Sequence, residues 1–194
     1  MRKRATLVPG MIIGGRYFGR GGALVVEILV RLGIEHVFSI PGAQTLSIWD
    51  GMYRRKDLHL VYPGSEWNAV YMAMDYACQM NKPAVVLNTV GPGCVNELPA
   101  MATAFKRNVP VLFITPGQPA YKRERIDTVF QGLRQTEILR PFCHREYRIT
   151  EATPNWGSIL RLAHEYVCTG QVVRVEIEFP LLFQLRTERI IRTL

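Results

Sequence analysis

The sequence has no CxxC pair, no apolar run near the roughly 18 residues that span a bilayer, and neither common phosphate-loop fingerprint. Each absence excludes a class. Four cysteines, Cys78, Cys94, Cys143 and Cys168, lie scattered through 194 residues, so neither a zinc ribbon nor a disulfide scaffold is indicated. A reduced, cytoplasmic setting with no membrane span is expected. Neither GxGxxG opening the first helix nor GxxxxGK[ST] occurs, so the glycine turns are not a generic nucleotide cradle. His36, His59, His144 and His164 have no metal-ligand spacing, and no metal ligand is expected in this chain.

Acid is scarce at the two ends. The formal charge is +8, but residues 1–20 carry Arg2, Lys3, Arg4, Arg16 and Arg20 with no acid. Residues 185–194 carry Arg186, Arg189 and Arg192 against Glu188. The body, 21–184, is left almost neutral, which argues against a basic nucleic-acid groove built into the fold. The expected organisation is a basic N-terminal arm over 1–20, one domain over 21–184, and a tail over 185–194. The arm is a poor secretory signal, because Pro9-Gly10 interrupts its apolar stretch.

What is present is a core: 48% of residues are hydrophobic and 21% charged, which excludes general disorder. Helical and strand patterns alternate. Ala23–Leu32 reads as a helix stopped by Gly33. Strands are expected at 35–40, 59–62, 84–89, 109–115, 145–150 and 172–179. Helices are expected near 46–55, 66–80, from Gly93 to about Phe105, at 133–140 and at 156–168, with 118–132 as a loop. Near-continuous apolar strands alternating with helices predict an open, mainly parallel α/β sheet of about six strands with helices on both faces. Turn glycines Gly42, Gly64, Gly91, Gly93 and Gly117 fall at strand carboxyl ends, the edge where such sheets bind ligands.

The turns come in a particular order: Ile40-Pro41-Gly42-Ala43, then Ser65-Glu66-Trp67-Asn68-Ala69, then Asn88-Thr89-Val90-Gly91-Pro92-Gly93-Cys94-Val95-Asn96. Thr115-Pro116-Gly117-Gln118 and Phe130-Gln131 complete the series. Over residues 21 to about 184 this succession resembles the pyrimidine-binding (PYR) domain of thiamine-diphosphate enzymes, in the acetolactate synthase and 2-oxo-acid decarboxylase group.

The resemblance implies a chemistry. A carboxyl group bonded to N1′ of the cofactor's aminopyrimidine promotes the tautomer that deprotonates the thiazolium carbon, and the cofactor serves as electron sink. Glu66 matches the family's catalytic and cofactor-binding glutamate, in a dry site where desolvation favours proton donation. Read without the family, it is a helix N-terminal carboxylate meeting the dipole. Gly91, Pro92 and Gly93 match the turn against the pyrimidine ring, or form an ordinary strand-to-helix turn. Asn96 matches a polar contact near the site, or caps locally. Pro41, Gly42 and Ala43 resemble the loop on the substrate side, and Phe130 and Gln131 the pair lining the substrate pocket. Lys122, Arg123 and Arg125 precede that pair. Arg123 and Arg125 either clamp an anionic substrate group or belong to a solvated or partner-contacting loop. Cys94 is either a thiolate favoured by a helix start or a small buried residue.

Ser65 stands where the family often has histidine, Gly132 where an acid usually follows, and no His-His pair occurs. These differences argue against a simple pyruvate decarboxylase. Members of the group also carry a diphosphate-binding (PP) domain whose Gly-Asp-Gly motif and following Asn hold magnesium, and no Gly-Asp-Gly occurs here. The resemblance therefore implies a separately encoded PYR subunit, incomplete alone, joining a PP-domain partner in an α2β2 or larger assembly around thiamine diphosphate and magnesium. The expected activity is decarboxylation of a 2-oxo acid with transfer to an acceptor carbonyl. The alternatives are a non-ligating decarboxylase resembling sulfopyruvate or phosphonopyruvate decarboxylase, and a non-catalytic interaction module.

Overall fold

The computed structural model describes residues 11–13, 16–123, 125–150, 152–178 and 187–189, with side-chain surroundings at 21–119, 121–122, 125–150 and 152–178. Strands β1 (Met11–Ile13) and β2 (Arg16–Arg20) lead into helix α1 (Gly21–Arg31). Helix α1 buries Leu24, Val25, Val26, Ile28 and Leu29, while Arg31 Nε donates to Glu27 Oε1 at 2.8 Å on its outer side. Gly33, at φ +79°, closes it in the left-handed conformation that a helix end requires.

Six strands then build the domain: β3 (His36–Ser39), β4 (His59–Val61), β5 (Ala84–Leu87), β6 (Val111–Pro116), β7 (Arg145–Thr150) and β8 (Val173–Glu178). Their order is β4-β3-β5-β6-β8-β7, and every neighbouring pair is parallel. The helices after α1 are α2 (Leu46–Tyr53), α3 (Glu66–Met80), α4 (Pro92–Val95), α5 (Leu98–Arg107), α6 (Ala120–Arg123), α7 (Gln135–Leu139) and α8 (Trp156–Val167).

The two-residue period of the strands sorts their side chains into two cores. Val85, Leu87, Leu112, Ile114, Val173, Val175 and Ile177 pack with Leu29, Ile48, Met52 and Leu160 of α1, α2 and α8. Ala84, Val86, Val111 and Phe113 pack with Ala73, Ala77, Met101 and Ala104 of α3 and α5. The fold is the expected open α/β sheet, covered by helices on both faces.

Three features depart from the sequence pattern. The expected single helix after Gly93 is two, because Pro99 cannot donate to the carbonyl of Val95 and its ring clashes there. The stretch 118–132 contains α6 and a 3-10 turn at Ile126–Thr128. Strand β9 (Thr187–Arg189) pairs antiparallel with β2, and β2 with β1, so parts of the basic arm and of the tail join in a separate small sheet. The rest of those two segments lies outside the described residues.

Candidate functional site

From β3 the chain passes through α2 to β4 on one side of the sheet, while β5 lies on the other side of β3. The carboxyl ends of β3 and β5 therefore flank a topological switch point, where open α/β sheets hold ligands. Side chains tie these two ends together. Ile40 N donates to Asn88 Oδ1 at 2.9 Å, the Ser39 hydroxyl donates to the Leu87 carbonyl, and Thr89 Oγ1 donates to Gln44 Oε1 at 3.1 Å.

Glu66 is the first residue of α3, placed by the turn Pro63-Gly64-Ser65 that follows β4, and it is half-buried. Its Oε2 accepts from Asn96 Nδ2 at 3.3 Å. Opposite it stands the Gly91-Pro92-Gly93 turn. A Cβ on Gly93 would meet Thr89 Cγ2 at 2.5 Å and Glu66 Oε1 at 3.4 Å, so the absent side chain leaves the face beside the carboxyl open. Gly91 has φ +68°, and a Cβ there would run into the Gln131 carbonyl. A Cβ on Gly42 would collide with the Thr89 hydroxyl. Gly42, Glu66, Gly91, Gly93, Asn96 and the backbone of Gln131 thus converge on one crevice.

Other expected residues lie further out. Pro41, Ala43 and Pro92 are exposed at the rim. Phe130 is 89% exposed, on the surface of this domain. Arg125 is exposed at the start of the 3-10 turn, and Lys122 lies over the Tyr121 ring. The side chain of Arg123 is outside the described residues. Cys94 is fully buried, with its thiol donating toward the Gly91 carbonyl and Gln135 Oε1, both at 3.1 Å. Burial pushes its pKa up, so it is a packed thiol, not a thiolate.

The sequence reading missed a buried polar network behind the turn. Gln135 Oε1 accepts the Gly91 N–H at 3.0 Å, and Gln135 Nε2 donates to the Pro116 carbonyl at 2.8 Å and to Glu176 Oε2 at 3.0 Å. Thr136 Oγ1 donates to the same Glu176 oxygen at 2.9 Å, and Arg174 Nη2 donates to it at 2.5 Å. Arg174, at 0% exposure, also pairs with Glu146. Burial acts to raise the Glu176 pKa, but Arg174 and the bonds from Gln135 and Thr136 prevail and hold it below the usual carboxylate range. A signal existed for Gln135: it stands four residues before Leu139 on a short helix, and both are buried.

The match to the family model described as thiamine pyrophosphate enzyme, N-terminal TPP binding domain, covers residues 19–138. The chain belongs to this family of thiamine-diphosphate enzyme domains. Among its relatives is the acetolactate synthase large subunit of Buchnera aphidicola subsp. Schizaphis graminum, 31% identical over 82% of this chain and 28% of that protein. The chloroplastic acetolactate synthase of Arabidopsis thaliana is 32% identical over 68% of this chain and 19% of that protein. The acetolactate synthase of Bacillus subtilis is 29% identical over 83% and 28%. The chain therefore aligns with less than a third of the length of these relatives.

Proposed function

We propose that this domain is the pyrimidine-binding half of a thiamine-diphosphate site that decarboxylates a 2-oxo acid and passes the acyl unit to an acceptor carbonyl. The observation that carries the reading is Glu66 facing the side-chain-free turn at Gly93, with Asn96 on its second oxygen. The residues fit the cofactor: a flat heteroaromatic ring needs a carboxyl at one edge and a floor without Cβ atoms, and this crevice offers both. When bound, thiamine diphosphate supplies the electron sink for decarboxylation.

The chain's own residues do the rest. Glu66 holds a proton at the ring nitrogen N1′, and Asn96 orients its carboxyl. Gly91, Pro92 and Gly93 would hold the pyrimidine on their open face, and Gln135 fixes the Gly91 N–H. We assign Pro41, Gly42, Ala43, Phe130 and Gln131 to the substrate side, and Arg123 and Arg125 to its entrance. The exposure of Phe130 fits a residue covered when a second domain completes the pocket.

Among the described residues no group of three or more His, Cys, Asp or Glu is placed to hold a metal. We assign magnesium and the diphosphate to a PP-type partner, in an α2β2 or larger assembly. No described helix is long and apolar enough to cross a membrane, and the expected setting is cytoplasmic. The relatives favour ligation over simple decarboxylation, since those named above are acetolactate synthases. The test is to assemble the chain with a PP-domain protein, thiamine diphosphate and magnesium, and to assay a panel of 2-oxo acids. A product with a new carbon–carbon bond is expected. Release of free aldehyde alone points to the decarboxylase reading, and turnover by the isolated chain removes the need for a partner.

A further inference from the structure

Between α4 and α5 the chain turns Glu97 inward. Its side chain is 2% exposed, and its Oε1 is buried without a hydrogen-bond partner. Asn88 Nδ2, at the carboxyl end of β5, and Arg174 Nε, on β8, are among the other buried polar atoms with no hydrogen bond of good geometry. A carboxyl buried with one oxygen unbonded is costly, and a core glutamate with no role would be better replaced by an apolar residue of similar volume.

The position of Glu97 suggests what it does. The residue before it, Asn96, donates to Glu66. Asn88, whose amide lies close enough to Glu97 to act on it, accepts from Ile40 with its other end and so ties Glu97's surroundings to the β3 side of the crevice. The charged and polar groups that act on Glu97 are Arg174 from β8, Asn88 after β5 and, most weakly, Glu66 from α3, and its own charge is felt by the Cys94 thiol of α4. Helix α5 contributes the Met101 N–H to the Glu97 backbone carbonyl at 2.8 Å, which fixes the corner.

We propose that Glu97 is a second carboxyl of this site, a positioning residue that acts on Glu66 by charge and through its neighbour Asn96. The electrostatics agree in sense. Burial pushes the Glu97 pKa up to about 8, Arg174 and Asn88 pull against the rise, and the Glu66 carboxylate adds to it. The Glu66 charge is the smallest of these influences, and it acts in the sense that favours the proton on Glu97. In this arrangement Glu97 is neutral through most of the physiological range, which spares the crevice a second negative charge. It ionises only as the pH rises toward its midpoint.

The proposal rests on the cofactor role of Glu66 for its catalytic meaning, but the coupling can be read without cofactor. Side-chain carboxyl carbons of glutamate in the full chain are followed by NMR from acid to alkaline pH, with Glu97 assigned through its backbone and by its loss in Glu97→Gln. The expected result is a Glu97 midpoint well above the usual carboxylate range that shifts down in Glu66→Gln. A Glu97 midpoint in the ordinary range, or one unmoved by Glu66→Gln, overturns the proposal. Should Glu97→Gln fail to fold, the backbone-based assignment in the wild-type and Glu66→Gln chains still decides. In the assembled enzyme, Glu97→Gln should flatten the pH profile of turnover around the Glu97 midpoint, and an unchanged profile contradicts the proposal. The two readings fail separately. Unchanged turnover in Glu66→Gln removes the cofactor role and leaves the coupling, whereas an unmoved Glu97 midpoint removes the coupling and leaves the cofactor role.

Discussion

Gln135 accepts the backbone N–H of Gly91 at 3.0 Å, and through that one bond the turn at the crevice is fastened to the buried ionic network of the sheet. The same side chain reaches the Pro116 carbonyl and Glu176. A turn that must approach a ligand closely cannot carry its own bulk, so its shape is imposed from behind.

Gln135→Leu removes four bonds, those with Gly91, Cys94, Pro116 and Glu176, and strands the Gly91 N–H in the interior, while Glu176 keeps Thr136 and Arg174. Each buried group left unpaired costs about 1–3 kcal/mol. Denaturant unfolding should show a loss within that range or somewhat above it, with weakened thiamine diphosphate binding in the assembled enzyme. A stability close to wild type would mean that Gln135 does not hold the turn.

Gly93→Ala tests the open face beside Glu66. A methyl there meets Thr89 Cγ2 and approaches Glu66 Oε1, so either the turn or the carboxyl must move. The expected outcome is a folded chain whose assembled enzyme loses turnover more than stability. Equal activity in Gly93→Ala would show that the ring does not sit against this residue.

The protonation of Glu97 has a consequence for stability against pH. Its folded pKa, about 8, lies above the ordinary value of 4.5. The native state therefore keeps a proton that the unfolded chain has already released. The stabilisation is fully present below pH 4.5 and is lost as the pH rises through about 8, at up to about 1.4 kcal/mol per pH unit. Glu176, held below the usual range, works in the opposite sense and loses its contribution as the medium turns acid. Unfolding curves between about pH 4.5 and pH 8 should show the decline in wild type and its absence in Glu97→Gln. A parallel decline in both chains would assign it to another group.

Much of this arrangement can be read from the sequence. The bounds of α3, Glu66–Met80, follow from Ala69, Val70, Ala73 and Ala77 at helical spacing, and the turn glycines mark the carboxyl edge of the sheet. The network behind the site is harder to see. Val173–Glu178 alternates apolar residues with Arg174, Glu176 and Glu178, a pattern that reads as one dry face and one wet face. All six are buried, because β8 lies between β6 and β7 and its polar face meets Gln135 and Thr136. Glu97 is hidden for a similar reason. It follows the short helix α4 just before the Pro99 break, and the Arg174 charge that acts on it sits on a strand distant in sequence. The pairing of β2 with β9 joins the two ends of the chain, and no local pattern announces it.

The central claim is that Glu66 is the acid of a thiamine-diphosphate site, and the most direct measurement is turnover of a 2-oxo acid by Glu66→Gln in the assembled enzyme. The substitution keeps the shape of the side chain and its contact with Asn96 while removing the ionisable proton. The account predicts intact assembly and a fall in turnover by a general acid–base factor of roughly 100–10,000. Turnover near that of wild type, with the complex formed and the cofactor bound, would contradict it.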